Sequence, residues 1–292
     1  MQYGLELPVT ANAADVVSIA QTAESAGFAV VAFTDHPAPS AKWLAAGGHP
    51  TFDPFAALAF VAAVTSTVRL HTHLAVLPYR NPLLLAKSVA TVDCLSGGRF
   101  TLVAGTGYLR SEFSALGSSF DDRNDAFDEA IAVLRGVFVD EAFTYDGNGF
   151  SARGVAHDPK PIQLPHPPIW IGGSSRASRR RVARYGDGWA PLFVNEMYAS
   201  SVRTAPLGTD DDLARAVDEL RTMVADEGRD PGAISIQLDG AITMDEPLDQ
   251  VAARAEQLAA LGVTGLVVRP PHGAPVDAAA EAVADFGRAL VP

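Results

Sequence analysis

Four short stretches of this sequence carry residue types that can do chemistry. Asp35-His36 ends an apolar run, which sets an imidazole beside a carboxylate at a strand terminus, and imidazole is the side chain best suited to moving protons near neutral pH. His71 and His73 lie two apart in RLHTHLAVLPYRNP, so strand alternation puts both on one face. An H-x-H pair can ligate a metal in barrel hydrolases, but that chemistry also needs a Lys or His and an Asp at later strand ends. His157 and His166 fall in an irregular segment instead, so a barrel-lining or cofactor-adjacent role without metal is the better reading.

Gly105-Thr106-Gly107, followed by Tyr108, gives the run Phe100 to Ala104 a small, permissive terminus where a flat or phosphorylated ligand can approach main-chain N–H groups. It is not a dinucleotide fingerprint, because the third glycine of G-x-G-x-x-G would fall where the chain has Arg110. Gly172-Gly173-Ser174-Ser175 opens a helix, so its N–H groups and the positive end of the helix dipole make an anion site. Arg176, Arg179, Arg180 and Arg181 add positive charge nearby.

Placing these residues requires a scaffold of alternating strands and helices. Tyr3 to Leu7 reads as a first strand, and a helix capped by Thr10 or Asn12 runs to Gly27. Phe28 to Thr34 is a strand apolar on both faces. Asp53-Pro54 and Asn81-Pro82 each supply an N-cap and an N1 proline, starting helices that end near Thr65 and Leu95, with a third strand at Val68 to Leu77 between them. Phe100 to Ala104 is the fourth strand, and its helix spans about Asp122 to Phe138. Asp146-Gly147 and Asn148-Gly149 mark a β-hairpin inserted between Asp140 and Pro167.

Strands follow at Ile169 to Ile171, Gly188 to Leu192, Ile234 to Met244 and Gly265 to Val268. Helices run from a Ser174 cap to Gly186, from beyond Gly208 to Glu227, from Leu248 to Leu261 and from Ala278 to Leu290. Eight strand-helix units with no linker between them predict one α/β domain over residues 1–292, a TIM-type (β/α)8 barrel with a hairpin insertion between helix 4 and strand 5. The active site then lies at the C-terminal ends of the strands.

A formal charge of −12 argues against nucleic acid or an anionic membrane as partner and leaves a small molecule. The chain opens directly on a strand and has no apolar run long enough to span a bilayer, which predicts a cytoplasmic protein. Cys94 is read as part of an apolar helix face rather than as a nucleophile.

The order GLELP, TDH at Thr34 to His36, LPYRNP at Leu77 to Pro82, LSGGR from Leu95, E-F-x-x-L-G at Glu112 to Gly117, and PPIWIGGSS at Pro167 to Ser175 resembles the luciferase-like, flavin- or deazaflavin-dependent oxidoreductases. The resemblance implies the same barrel, a homodimer, and a non-prolyl cis peptide late in the third strand, where His71 and His73 replace residues that are often small. It also implies a cofactor lying along Asp35, His36, Thr72, His73, Gly105, Thr106, Gly107, Gly172, Gly173 and Ser174, with its phosphate on the Gly-Gly-Ser turn.

His36 is the expected catalytic residue, oriented by Asp35, and Trp43 and Tyr108 are expected at the substrate. Tyr108 stands where a sugar-phosphate-oxidising relative carries a catalytic glutamate, which argues against that activity; Glu112 and Phe113 are expected to hold the loop down. The cofactor implied is coenzyme F420, with FMN and monooxygenase chemistry as the alternative. A metal-dependent hydrolase and a noncatalytic flavin-binding protein are the rivals from other classes. The hairpin and the loop from Phe193 to Gly208 are expected to cover the barrel mouth and set substrate choice.

Overall fold

The computed structural model describes residues 1–10, 12–201, 203–271 and 273–291. In chain order the strands are β1 (Gln2–Glu6), β2 (Val30–Phe33), β3 (Arg69–Thr72), β4 (Ala75–Val76), β5 (Phe100–Gly105), β6 (Phe143–Gly147), β7 (Phe150–Val155), β8 (Ile169–Gly172), β9 (Gly188–Ala190), β10 (Ser235–Asp239) and β11 (Gly265–Val268). All except β6 and β7 belong to one parallel sheet that pairing of β3 with β5 closes into a barrel. The third barrel strand is in two pieces: β3 pairs with β2, β4 pairs with β5, and the His73–Leu74 peptide between them is cis. The continuous strand expected from Val68 to Leu77 is therefore interrupted, and the strand expected to reach Met244 stops at Asp239.

Short strands buried on both faces explain why the sequence reads as apolar runs without alternation. Every residue of β2, β5 and β11 is buried. The helices that cover them are α1 (Ala13–Ser25), α2 (Ala41–Ala45), α3 (Pro54–Ala62), α4 (Pro82–Leu95), α5 (Arg110–Ala115), α6 (Arg123–Val137), α7 (Arg176–Tyr185), α8 (Glu196–Ser201), α9 (Asp210–Asp226), α10 (Leu248–Ala260) and α11 (Val276–Leu290). Asn12, Asp53 and Asn81 cap α1, α3 and α4 through their side-chain oxygens, as their sequence context predicts. α7 is capped by Ser175, not Ser174, whose hydroxyl is held by the Leu192 backbone. The short α2, α5 and α8 sit in loops after strands, where apolar periodicity is too brief to predict them.

β6 and β7 form the expected hairpin, but its place differs from the expected one. The segment joins α6 to β8, and a helix-to-strand connection lies at the N-terminal ends of the barrel strands, opposite the active-site face. Gln163 from the same insertion confirms this position: it bonds Asp93 at the end of α4, Phe100 O at the start of β5, and Arg69 at the start of β3. Cys94 also faces the insertion, half-buried, with Sγ 3.2 Å from Lys160 O, rather than lying in the core.

Glu24 ties the end of α1 to the turn before β3. Its Oε1 accepts from the N–H groups of Ser66, Thr67 and Val68 and from the Thr67 hydroxyl, at 2.6 to 3.1 Å. Partial burial opposes ionisation, but these four donors outweigh it and hold the carboxyl down at about 2. A depressed carboxyl stabilises the fold fully above its unfolded value near 4.5 and progressively less as pH falls towards 2. Wild type should lose thermal stability over that window, and Glu24→Gln should be less stable at pH 7 with a shallower acid slope. Parallel acid slopes in melts of the two proteins would remove Glu24 from this role.

Candidate active site

At the C-terminal ends of the strands a cleft of about 270 Å3 opens, bounded by residues from β2, β4, β5, β8, β9, β10 and β11 or the loops behind them. That is close to the lower end of the roughly 300–1,000 Å3 usual for small-molecule sites, a size suited to a planar ring. Beneath one side lies a small apolar cluster of Val76, Phe113 and Phe120, with Leu74 and Tyr79 packed against it.

His36 stands on the wall, its side chain only 11% exposed, with Nδ1 3.1 Å from Oε2 of Glu112, which is wholly buried. Oε2 also accepts the Tyr79 hydroxyl at 2.9 Å, and Oε1 accepts the Ala38 N–H at 3.2 Å. Glu112 therefore orients His36, the role expected of Asp35. Asp35 instead accepts both terminal nitrogens of Arg80, at 2.5 and 2.9 Å, and the Val76 N–H at 2.9 Å. It lines the cleft but acts as the clamp that fixes the strand-three loop. Glu112 does hold the loop down as expected, and through the same bonds it fixes the imidazole.

Trp43 is absent from the cleft wall; its ring lies 4.6 Å from that of His36, tilted, and backs the imidazole. Tyr108 is on the wall, edge-on to His36 at 5.9 Å. Burial, with Tyr198 and Glu112 adding to it, pushes its phenol up to about 12, so at neutral pH it is a hydrogen-bond donor. Burial beside Glu112 likewise pushes Tyr79 well above the usual range.

The glycines are not open cradles. A Cβ at Gly105 or Gly172 would come within 2.3 and 2.2 Å of the Leu74 side chain, so their smallness admits Leu74 and presses it up into the cleft floor. At Gly107, with φ +76, a Cβ would strike Val76 and Phe113. Thr106 lines the cleft. Thr72 does not: fully buried, its hydroxyl donates to Val103 O at 2.7 Å and accepts the Val103 N–H at 2.9 Å, bridging β3 to β5.

The anion end is also built differently from the expectation. The Gly173 N–H is donated to Ala190 O and the Ser174 N–H to Thr204 Oγ1, and Ser174 lies off the cleft wall. The groups that face the cleft are Gly172, Gly173, the hydroxyl residues Ser175, Ser178 and Thr204, and Arg203, which no motif in the sequence singles out. Arg203 shares the Phe120 ring with Arg110 and Arg123, whose guanidinium carbons lie 5.3, 4.0 and 3.9 Å from its centre respectively. Of the arginines near α7, Arg176 and Arg179 pair with Glu219 and Arg181 with Asp128, and none of the three lines the cleft.

Across the barrel, His73 Nε2 lies 3.3 Å from Asp239, and Arg269 bonds both oxygens of Asp239 and reaches Glu6 at 2.6 Å. Burial opposes ionisation of Asp239, but Arg269 and His73 hold it far below the ordinary carboxyl range. Glu6, His73 and Asp239 are the one grouping among the described residues with metal-ligand proximity, and the Arg269 guanidinium already supplies their cation. His71 does not join them: buried edge-on against Trp170, it is pushed down to about 3 by burial first and by the charge of Arg69, and stays neutral.

Fold and cleft together define a barrel protein with a His–Glu pair on one wall of its strand-end cleft and hydroxyl side chains and an arginine on another. The match of residues 2–287 to the luciferase-like monooxygenase family makes the relationship definite, and the chain belongs to that family. An uncharacterised protein of Mycobacterium tuberculosis is 30% identical over 295 residues, covering 96% of this chain and 95% of that one. An FMNH2-dependent dimethylsulfone monooxygenase of Pseudomonas putida is 35% identical over 159 residues, 53% of this chain and 42% of the enzyme, so the match spans less than half of the enzyme's length. Among solved structures, a monooxygenase from Streptomyces bottropensis superposes with a TM-score of 0.82 at 21% identity, covering 100% and 99% of the two chains. A coenzyme F420-dependent secondary alcohol dehydrogenase gives 0.77 at 16% identity, covering 99% of this chain and 98% of that one. At those identities the structures share the barrel. No helix among the described residues is long and apolar enough to cross a membrane.

Removing Glu112 tests the dyad. Glu112→Ala leaves three donors, on His36, Tyr79 and Ala38, without their buried acceptor, at about 1–3 kcal/mol for each that stays unsatisfied. Urea unfolding should show a loss of at least about 2 kcal/mol; a loss below about 0.5 kcal/mol would mean the carboxylate holds nothing together.

Proposed function

We propose that the chain is an oxidoreductase that moves a hydride between coenzyme F420 and a small organic substrate. The observation that carries the reading is the His36–Glu112 dyad on the cleft wall, with Arg80 clamping the adjacent Asp35. The Asp-His pair and the Leu77–Pro82 motif are the features that resemble the deazaflavin branch. When bound, the cofactor supplies or accepts the hydride at its central ring.

What remains for the protein is orientation and proton movement. Glu112, ionised and accepting from Nδ1, fixes the tautomer with hydrogen on Nδ1, which leaves Nε2 of His36 as the proton acceptor. Oxidation of an alcohol sheds a hydroxyl proton as hydride leaves the carbon; Nε2 takes that proton, and Glu112 stabilises the imidazolium formed. Tyr108 donates a hydrogen bond from the neighbouring wall. Ser175, Ser178, Thr204 and Arg203 would hold the cofactor phosphate.

A second reading, FMN with monooxygenase chemistry, is favoured by the 35% identity to the dimethylsulfone monooxygenase over half of this chain. Side-by-side fluorescence titration of the apo protein with F420 and FMN separates the two, and failure of both to bind would end both.

Three variants check the assignment. His36→Asn should lower turnover by about 10²- to 10⁴-fold with cofactor affinity nearly unchanged; wild-type turnover with a rate-limiting chemical step would reduce His36 to a structural residue. Gly173 has φ +92, and a Cβ there would lie 3.0 Å from Ser178 Oγ. Gly173→Asp should therefore cost about tenfold or more in cofactor affinity, on the order of 1.4 kcal/mol. Deleting residues 146–149 from the hairpin, on the far face of the barrel, should leave that affinity unaltered, and a loss in the folded variant would contradict the topology.

A further inference from the structure

His73 has a feature that the hydride-transfer reading does not use. Its side chain is 8% exposed, it lines the cleft, and its Nδ1 is buried without any hydrogen-bond partner. A buried polar atom without a partner costs roughly 1–3 kcal/mol, so such an atom on a cleft wall calls for a ligand to satisfy it. The other side of the ring determines what kind of ligand. Arg269 saturates Asp239 with a two-pronged contact at 2.7 and 2.8 Å and keeps it ionised, so Asp239 can only accept from His73. The hydrogen of the neutral ring therefore sits on Nε2, and Nδ1 presents a bare lone pair. Behind the ring, away from the cleft lining, Glu6 takes the remaining reach of Arg269.

We infer that His73 Nδ1 accepts a hydrogen bond from an N–H or O–H group of the molecule bound in the cleft, and that Glu6, Arg269 and Asp239 are the chain of positioning residues that holds its lone pair inward. The recognised chemistry is an N–H or O–H donor; an ionised carboxylate or phosphate oxygen has no hydrogen to give to that lone pair. Two bound molecules can bring such a donor: the imide N–H shared by flavin and deazaflavin rings, or the hydroxyl of an alcohol substrate. The inference rests on the cleft taking such a ring, and that part is tested first, by the affinity of the wild-type protein for FMN and F420.

The test is ¹⁵N NMR of histidine-labelled protein at pH 8.5, with His73→Leu used to assign the His73 signals. The free protein should show His73 protonated at Nε2 and not at Nδ1. If the ring imide is the donor, the Nδ1 resonance moves on addition of FMN or F420 alone, and His73→Leu weakens that cofactor by about three- to tenfold, the range of a neutral hydrogen bond. If the substrate is the donor, Nδ1 stays put until propan-2-ol, butan-2-ol or cyclohexanol is added to the loaded protein. His73→Asn, which retains an acceptor oxygen, should recover part of the affinity lost in His73→Leu and guards against misfolding of the apolar variant. A proton on Nδ1 in the free protein, or an Nδ1 signal that none of these probes moves while wild type binds the cofactor, overturns the inference without touching the hydride-transfer reading.

Discussion

The candidate site depends on one buried carboxylate. Glu112 has no exposed side-chain surface, and an ionised carboxyl in that position is tolerable only when its lone pairs are filled. Three donors fill them, from the loop after β2, from the 3-10 turn at Leu77–Tyr79 behind β4, and from His36 itself. A single side chain on the short helix α5 thus joins the ends of the second, third and fourth barrel strands. It also sets the face of His36 that looks into the cleft. The apolar cluster of Val76, Phe113 and Phe120 beneath it excludes water, which strengthens these bonds.

Two arginines do comparable work at other points of the rim. Arg80 engages Asp35 at the end of β2 and also Asp53, the cap of α3, joining the strand-three loop to the first long helix beyond the site. Arg269, from the end of β11, draws together Glu6 at the end of β1 and Asp239 at the end of β10, and through Asp239 it reaches His73 on the opposite side of the barrel. The carboxylates of Asp35, Glu6 and Asp239 are little exposed, so removal of their arginine partners costs more than it would at the surface. Each imidazole has one nitrogen within hydrogen-bond distance of a carboxylate, Nδ1 of His36 and Nε2 of His73.

The Phe120 ring shows how the anion end is assembled. Three guanidinium groups lie around a single aromatic ring, one of them on the cleft wall, in a protein whose net charge is −12. Cation–π contact offsets part of their mutual repulsion, and an anion in the cleft would offset more. The overall charge that argues against nucleic acid thus coexists with a local positive site, because the potential inside a cleft follows its lining and not the total.

The sequence by itself determined the barrel. Eight short apolar runs, each punctuated by a cap-and-proline or glycine signal, have one closed arrangement that buries them all, and the strand-end rule then located Asp35, His36, Gly105 to Tyr108, and Gly172 and Gly173 on one face. Partnership was not legible there. His36 has Asp35 as its chain neighbour, yet adjacent residues on an extended chain point opposite ways, and the imidazole finds Glu112 at a separation of 76 residues. His73 meets Asp239 across 166 residues, and Thr72 turns into the wall between strands because it is the neighbour of an inward residue. The hairpin at Phe143 to Val155 was recognised from its Asp-Gly and Asn-Gly turns, but local turn chemistry carries no information about which end of the barrel it covers. Periodicity and capping act over one or two turns of chain and set elements and strand ends. Hydrogen-bond partners between strand ends are chosen by barrel closure, and closure is a property of the whole chain.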